Sequence, residues 1–271
     1  MVKLIALDLD GTLMSADHMT VTQKTKEALR LAHDRGAKIS IATGRTLAII
    51  GDVCEQVPEI DYIIYSNGAG VYDRRNKKTI YKSFMPWSFC REVLYTLDKM
   101  PAFLEVYVDG VSYYQTDKGD FFPKDALPQK FVDTLMGQMT EVESLKQSLE
   151  KKDIEKLTVY FDDRQDYENC WNYLSGFDEI YLASSLPTSM EFTRKNVNKG
   201  TALEGMCRVL GITADECMAF GDAGNDCEML DFCKYGFAMG NATQECKAHA
   251  KYITKSNAED GIAHGIEMII K

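Results

Sequence analysis

The sequence predicts an α/β fold in which a doubly wound parallel sheet is interrupted by an inserted α+β domain. Short apolar segments alternate with helical segments at both ends of the 271-residue chain. This rhythm is typical of a parallel sheet covered by helices on both faces. The middle of the chain differs, because Asp109-Gly110 between two strand-like runs is a strong two-residue hairpin signal. We therefore expect a core domain at 1–83 and 188–271 and an inserted domain at 84–187.

The N-terminal part of the core is predicted to run strand, helix, strand, helix, strand. The first apolar run ends in carboxylates, and the helix that follows has its apolar residues on one face and stops at Gly36. Two more strands are separated by a second helix. The predicted elements are, in order, Lys3–Leu9, Thr22–Arg35, Lys38–Ala42, Leu47–Gln56 and Tyr62–Ser66.

The same alternation returns in the last third of the chain, whereas the middle is predicted to form a hairpin-containing sheet with helices on one side. The C-terminal elements are a helix at Lys199–Leu210, strands at Glu216–Phe220 and Tyr235–Met239, and helices at Thr243–Ala250 and Gly261–Ile270. The insert is predicted to contain strands at Phe103–Val108, Val111–Gln115, Lys156–Phe161 and Ile180–Ala183 and a helix at Tyr167–Leu174.

Composition excludes several classes of partner. Acidic residues outnumber basic ones by 41 to 31, which gives a net charge of −10 with His neutral. Such a surface does not attract nucleic acid or an anionic bilayer, so neither is expected as a partner. None of the eight cysteines is spaced C-x-x-C, and we expect reduced thiols. The N-terminus is unlike a signal peptide and no apolar stretch approaches the ~18 residues of a membrane span, so we expect a cytoplasmic protein.

The strongest local signal is Asp8-Leu9-Asp10-Gly11-Thr12, at the carboxyl end of the first predicted strand. Open α/β sheets bind ligands at the carboxyl ends of their strands, and Gly11 lets the chain turn at once. Two buried carboxylates so close together repel each other unless one keeps its proton or a cation lies between them. A few hard oxygen donors suit Mg²⁺, which keeps waters and a substrate phosphate in its shell. The alternative is an ordinary turn after a strand.

Three further segments follow predicted strands or precede a predicted helix. Ala42–Arg45 supplies a hydroxyl, a backbone N–H and a guanidinium, all donors for phosphate oxygens. Asn198–Gly200 places Lys199 at a helix start, where it could hold a phosphate or a carboxylate. Gly221–Asp226 crowds two acids and an amide into a turn after a buried strand. Each segment alone also fits a turn, a cap or a solvated side chain. Because all four segments fall on one edge of the predicted sheet, together they predict a single site.

These segments resemble the motifs of the haloacid dehalogenase superfamily of phosphohydrolases, and more narrowly those of the Cof-type subfamily with a type IIB cap. The resemblance implies a Rossmann-like core, with the insert as its α+β cap, although the insert is similar only in size, position and its VDG hairpin. The matching motifs lie at Asp8–Thr12, Ala42–Arg45, Ser66–Ala69, Asn198–Gly200 and Gly221–Asp226, and they are extended by Ala238–Ala242 and Asp260–Ala263.

The resemblance also implies chemical roles for individual residues. Asp8 would attack phosphorus and form an aspartyl phosphate. Asp10 would protonate the leaving oxygen and then deprotonate the attacking water. The side chains of Asp8 and Asp222 and the backbone carbonyl of Asp10 would ligate Mg²⁺, with Lys199 as a further catalytic residue. Asp226 would orient Lys199 or a metal-bound water.

The remaining residues of the motifs would bind the substrate. Arg45 would reach toward it, and the phosphoryl group would be held by Leu9, Thr43, Gly44, Lys199 and Asn225.

The sequence thus predicts a Mg²⁺-dependent phosphatase for small cytoplasmic phosphate monoesters, such as sugar phosphates or a phosphorylated cofactor. The expected partner is a small phosphorylated metabolite, and no obligate protein partner is expected. A phosphomutase of the same superfamily is the enzymatic alternative, which product analysis would separate. The other alternative is a non-catalytic phospholigand-binding protein. Intact Asp8 and Asp10 argue against it, since a binding protein has no need of both.

Overall fold

The computed structural model describes residues 1–17, 19–122, 136–183 and 188–270. Within them no helix is both long enough and apolar enough to cross a bilayer. All eight cysteines are buried and free, as the sequence led us to expect. The chain divides into two compact units, the first comprising Met1–Arg45, Ile50–Lys82 and Asn198–Lys271 and the second comprising Thr46–Ile49 and Ser83–Val197.

Strands and helices of the described residues are numbered separately in chain order. The strands are β1 (Leu4–Leu7), β2 (Lys38–Ala42), β3 (Ile60–Tyr65), β4 (Gly70–Asp73), β5 (Lys78–Lys82), β6 (Ala102–Val108), β7 (Val111–Gln115), β8 (Thr140–Val142), β9 (Lys156–Phe161), β10 (Ile180–Ala183), β11 (Ser189–Arg194), β12 (Cys217–Gly221), β13 (Tyr235–Ala238) and β14 (Tyr252–Ile253). The helices are α1 (Gln23–Asp34), α2 (Gly51–Gln56), α3 (Trp87–Leu97), α4 (Leu145–Ser148), α5 (Arg164–Leu174), α6 (Lys199–Leu210), α7 (Cys227–Phe232), α8 (Gln244–His249) and α9 (Gly261–Ile269).

An eight-stranded sheet forms the centre of the first unit, in the order β14-β13-β12-β1-β2-β3-β4-β5. The six strands from β14 to β3 run parallel, and β4 and β5 add an antiparallel edge. All four residues of β1 are fully buried and apolar, as a parallel strand covered on both faces requires. Because β1 lies between β12 and β2, the loops that follow these three strands lie side by side.

Two helix starts in this unit follow from local sequence. The Thr22 hydroxyl accepts a hydrogen bond from the Thr25 N–H and caps α1. The Asn198 side chain accepts one from the Thr201 N–H, while the Thr201 hydroxyl accepts one from the Asn198 N–H, so α6 begins with a reciprocal cap. Gly211, at φ 66°, ends α6 in the left-handed region. The start of α6 is therefore fixed at Lys199.

The second unit is built on a six-stranded sheet in the order β10-β11-β9-β6-β7-β8, in which all pairs except β7–β8 are antiparallel. Alternate residues of its strands, such as Leu104 and Val159, form one apolar core with helix residues that include Leu94 and Cys170. This is the α+β arrangement of an antiparallel sheet with helices on one face.

The predicted fold class is confirmed: a mostly parallel α/β sheet forms one unit, and an α+β sheet forms the other. Several details differ. The predicted domain boundary between 187 and 188 adjoins residues 184–187, which lie outside the described residues. After this boundary, β11 pairs with β9 and β10 of the second sheet. The second unit therefore extends to Val197.

The helix predicted at Leu47–Gln56 is divided in the structure, because Leu47–Ile49 forms a 3₁₀-helix and the α-helix begins at Gly51. Only Gly51–Gln56 is α-helical, and the Ala48 N–H donates to the Gly110 carbonyl, which places Thr46–Ile49 in the second unit. The sequence-based prediction also lacks eight of the described elements: β4, β5, β8, β11, β14, α3, α4 and α7.

Candidate active site

Asp8 and Asp10 are separated by a tight turn that begins where β1 ends. The Leu13 N–H donates to the Asp8 carbonyl at 3.1 Å, and the Met14 N–H donates to the Leu9 carbonyl at 2.9 Å. Gly11 has φ 84°, a value that suits glycine. The turn leaves Asp8 buried at 6% exposure, while the side chain of Asp10 is 48% exposed. Two acids two residues apart thus sit in different environments.

A second acidic loop follows β12, the strand beside β1. The Asp226 carboxylate accepts hydrogen bonds from the N–H groups of Asp222 and Ala223, at 2.9 and 3.1 Å, which closes the loop on itself. The Thr12 hydroxyl donates to Asp222 at 2.9 Å and ties this loop to the turn after β1. A Cβ at Gly11 would lie 2.4 Å from an oxygen of Asp222, so only glycine permits the approach.

Lys199 connects both acidic loops. Its Nζ donates to Asp8 Oδ1 and to Asp226 Oδ1, each at 2.6 Å. The side chain is 1% exposed, and the reciprocal cap at the start of α6 fixes the position of its backbone. Burial lowers the pKa of Lys199, but the carboxylates of Asp226 and Asp8 outweigh it and raise the pKa overall. Lys199 therefore remains an ammonium ion.

The cluster carries more negative than positive charge. Oxygens of Asp8, Asp222 and Asp226 lie within 4.8 Å of one another, against the single ammonium of Lys199. Burial and the Asp226 charge raise the pKa of Asp8 well above its usual range despite the Lys199 contact. Burial likewise raises the pKa of Asp222, against the lowering effect of the Thr12 hydroxyl. Each carboxylate is thus less stable in its charged form here than in water.

This donor set fits a divalent cation. Hard carboxylate oxygens that converge with excess negative charge are the ligands that such ions prefer. Both Asp226 oxygens already accept hydrogen bonds, from Lys199 and from two backbone N–H groups. Asp8 and Asp222 are therefore the better placed pair for a cation, whereas Asp226 contacts Lys199 and the loop backbone.

The expected acid–base residue and the expected substrate residue contact each other. Arg45 donates from Nη2 to Asp10 Oδ1 at 2.6 Å and from Nε to Asp10 Oδ2 at 3.1 Å. Such a two-point contact between a guanidinium and a carboxylate is strong and directional. In this arrangement Arg45 therefore holds both oxygens of Asp10.

The other expected phosphate-binding residues lie around this cluster in the same unit. Thr43 is buried directly after β2, and its hydroxyl accepts from the Arg45 N–H at 3.1 Å. Leu9 has a buried side chain, so only its backbone could contact a ligand. Asn225 is exposed and donates to Asn67 at 3.4 Å. Within the described residues, neither Thr43 nor Asn225 is hydrogen-bonded to Asp8 or Lys199.

Two contacts were not predicted from the sequence. Thr12 binds Asp222, and Asn67 accepts from Asn225 with its own backbone at φ 54°. Both residues lie inside recognised motifs, Asp8–Thr12 and Ser66–Ala69, and this membership was the only signal that could have identified them.

Comparison with known proteins gives concordant results. Residues 5–266 match the sequence profile of the haloacid dehalogenase-like hydrolases. The chain is 28% identical over 265 residues to the Bacillus subtilis 5-amino-6-(5-phospho-D-ribitylamino)uracil phosphatase YcsE, covering 98% of this chain and 94% of that protein. It is 26% identical over 285 residues to the B. subtilis phosphatase YwpJ, covering 99% and 100%. Among solved structures, the HAD subclass IIB sugar phosphatase BT4131 has a TM-score of 0.82 at 28% identity, covering 98% of each chain.

The raised pKa of Asp8 predicts that this residue destabilises the metal-free fold. The folded protein keeps the Asp8 proton to higher pH than the unfolded chain, whose value is about 3.9, so ionisation opposes folding as the pH rises through this interval. Asp8→Asn should therefore raise the Tm of the metal-free protein at pH 7.

The difference in Tm between Asp8→Asn and wild type should shrink as the pH falls toward about 4, the pKa of an aspartate in the unfolded chain. At that pH wild-type Asp8 is protonated and, like the asparagine, carries no charge. Thermal unfolding followed by circular dichroism over pH measures this difference. Asp162→Asn, at an exposed position, is the matched control and should leave the Tm unchanged. A lower Tm for Asp8→Asn at pH 7 would contradict the prediction.

Proposed function

Because the chain belongs to the haloacid dehalogenase-like hydrolases and is a phosphatase of that family, we propose that it hydrolyses small phosphate monoesters with Mg²⁺ through an aspartyl phosphate on Asp8. The assignment to the Cof-type, type IIB phosphohydrolases that the motifs suggested is confirmed by these comparisons. The observation that carries the finer proposal is the buried contact of Lys199 with Asp8 and Asp226 beside Asp222.

Asp8 is suited to be the nucleophile. Its backbone is fixed at the end of β1, where its N–H donates to the Phe220 carbonyl at 3.0 Å, and Lys199 holds one of its oxygens. In the proposed first step a carboxylate oxygen of Asp8 bonds to phosphorus while the ester P–O bond breaks. Asp10 gives its proton to the departing alkoxide.

The second step returns the enzyme to its starting state. Asp10 takes a proton from water, whose oxygen attacks the phosphorus of the aspartyl phosphate. The bond between phosphorus and the Asp8 oxygen then breaks, which releases inorganic phosphate and restores the Asp8 carboxylate. The exposed position of Asp10 permits contact with water in this step.

The side chains of Asp8 and Asp222 and the Asp10 carbonyl would hold Mg²⁺. When bound, the ion supplies positive charge that reduces the repulsion between Asp8 and a phosphate anion. Lys199, as an ammonium, would stabilise the charge on the transferring phosphoryl group together with the donors Leu9, Thr43, Gly44 and Asn225.

Arg45 must change partners during turnover if Asp10 is the acid and base. Both Asp10 oxygens accept from Arg45 in this structure, so proton transfer needs at least one of these contacts to break. A phosphate ester offers Arg45 another anion, and the contact with Asp10 can be exchanged for a contact with substrate. This agrees with the substrate role that the resemblance implies.

We expect the physiological substrate to be a small cytoplasmic metabolite such as a sugar phosphate or a phosphorylated cofactor. The names of two similar proteins, a 5-amino-6-(5-phospho-D-ribitylamino)uracil phosphatase and a sugar phosphatase, support a polyhydroxylated leaving group. A panel of alkyl phosphates with sugar, polyol and cofactor leaving groups, assayed for inorganic phosphate, tests the proposal. Transfer of the phosphoryl group within the substrate, without phosphate release, would indicate the mutase instead.

Activity should depend on a divalent cation, with Mg²⁺ as the best. After exhaustive chelation an aryl phosphate should not be hydrolysed, and Mg²⁺ should restore the rate. Because burial raises the pKa values of Asp8 and Asp222, protons compete with the metal, and the Mg²⁺ concentration for half activity should rise as the pH falls. Asp222→Asn should need more Mg²⁺ at every pH, whereas Asp162→Asn should match wild type. Full activity in the chelated enzyme would contradict the prediction.

Asp10→Asn should slow turnover while leaving the fold intact. The amide keeps the shape of the side chain but transfers no proton, and general acid–base assistance is typically worth ~10²–10⁴-fold. The loss in kcat should be of this order for an alkyl phosphate and smaller for an aryl phosphate, whose leaving oxygen needs little protonation. Steady-state kinetics on both esters, with circular dichroism as the folding control, measures it. Near wild-type kcat on the alkyl ester would show that Asp10 is a structural turn residue.

A further inference from the structure

Two loops near the C-terminus carry motif residues that have no part in the chemistry described above. One follows β13 and contains Asn241, within the motif Ala238–Ala242. The other follows β14 and contains Asn257, just before the motif Asp260–Ala263. Both asparagines turn their side-chain amides toward the turn after β1.

The two amides form a continuous chain of hydrogen bonds to that turn. Asn241 Nδ2 donates to the Gly11 carbonyl at 2.8 Å, and its Oδ1 accepts from the Asn257 N–H at 3.0 Å. Asn257 Nδ2 donates to the Met14 carbonyl at 3.0 Å. Only one orientation of the Asn241 amide satisfies both a carbonyl and an N–H, so the network itself defines which atom faces Gly11.

The loops that present these amides are themselves held to the acidic loop. The Met239 N–H donates to the Gly221 carbonyl and the Thr243 N–H to the Asp222 carbonyl, at 3.0 and 2.9 Å. The Gly240 N–H donates to the Lys255 carbonyl at 3.0 Å, and a Cβ at Gly240 would lie 2.7 Å from a backbone nitrogen of the second loop. The asparagines therefore link the turn after β1 to two loops that are also hydrogen-bonded to the acidic loop containing Asp222.

On the side of Asp10 the turn is also held by the Arg45 contact with the Asp10 carboxylate and by the hydrogen bond from the Thr12 hydroxyl to Asp222. Its own backbone contributes the bonds that close it at Leu13 and Met14, and Gly11 adds conformational freedom. The Asp10 side chain is 48% exposed and is held by Arg45, a contact that proton transfer must break at one oxygen at least. The Gly11 carbonyl, which Asn241 binds, belongs to the residue next to Asp10.

We propose that Asn241 and Asn257 are positioning residues, which orient the turn Leu9–Leu13 so that Asp10 reaches the leaving oxygen. The inference rests on the proposed function, in which Asp10 is the acid and base. Their loss should reduce proton transfer more than phosphate binding, because of the proposed phosphate donors only Leu9 belongs to this turn, whereas the others lie on other segments of the chain: Thr43, Gly44, Lys199 and Asn225.

Asn241→Ala tests the proposal, since the residue is exposed and water can replace both of its hydrogen bonds. At saturating Mg²⁺, kcat for an alkyl phosphate should fall about 10- to 100-fold, the scale expected for a misplaced catalytic group. KM should change by less than about 3-fold, and kcat for an aryl phosphate should fall by less than about 3-fold, because good leaving groups need little help from Asp10. Asn257→Ala should also lower kcat more for the alkyl than for the aryl phosphate, but by a smaller factor, because the backbone N–H of residue 257 still donates to Asn241.

Gln244→Ala is the matched control, an exposed amide three positions from Asn241, and it should retain wild-type kinetics on both esters. A double-mutant cycle with Asp10→Asn completes the test. If Asn241 acts through Asp10, adding Asn241→Ala to Asp10→Asn should cost less than about 2-fold in kcat on the alkyl ester.

Three results would overturn the proposal: wild-type kcat for Asn241→Ala, an equal loss on both esters, or a full multiplicative loss in the double mutant. If Asp10→Asn alone retains wild-type kcat on the alkyl ester, the acid–base assignment fails and the positioning role fails with it. If Asp10→Asn is slow and Asn241→Ala is not, only the positioning role is wrong.

Discussion

The active site depends on the contact of the buried Lys199 ammonium with two carboxylates. Removing an ammonium from water is costly, and the 2.6 Å contacts with Asp8 and Asp226 offset that cost through charge and hydrogen bonding. Asp8 directly follows β1, Lys199 begins α6, and Asp226 lies in the loop after β12. The contacts of Lys199 therefore join three segments that are distant in sequence. With Asp222 adjacent, the cluster keeps excess negative charge, and the same arrangement that orders Asp8 also favours a cation.

The close approach of these segments requires backbone without side chains at two points. A Cβ at Gly11 would lie 2.4 Å from Asp222, and a Cβ at Gly221 would lie 2.4 Å from the Asp226 Cβ. Gly11 has the additional constraint of φ 84°. The glycines in the two acidic motifs therefore have a packing function: they let carboxylates from neighbouring strands reach the same small volume.

The sequence predicted those features that are local, and it missed those that arise between distant segments. Helix Lys199–Leu210 was predicted with its observed bounds, because Asn198 and Gly211 mark its ends. Strands β4 and β5 were missed, since each is short and neither has a continuous apolar run. The predicted helix at Leu47–Gln56 is divided into a 3₁₀-helix and an α-helix, because the Ala48 N–H in its first part bonds to Gly110 of the hairpin.

The same distinction holds within the site. Asp8, Lys199 and Asp222 could be predicted because each follows a strand or begins a helix in a recognisable motif. The contact of Arg45 with both oxygens of Asp10, and that of Asn241 with the Gly11 carbonyl, could not, because each depends on how two loops far apart in sequence meet. Motif membership marks such residues as important for the site without indicating what they contact.

The arrangement also explains why chemistry is easier to infer than substrate in this chain. Asp8 and Lys199 are 191 positions apart, and most of the second unit, Ser83–Val197, is inserted between them. Every residue assigned to phosphoryl transfer belongs to the first unit. The chain re-enters this unit at Asn198, whose reciprocal cap begins α6 immediately after the insert. The insert can therefore change in sequence without altering the carboxylate cluster.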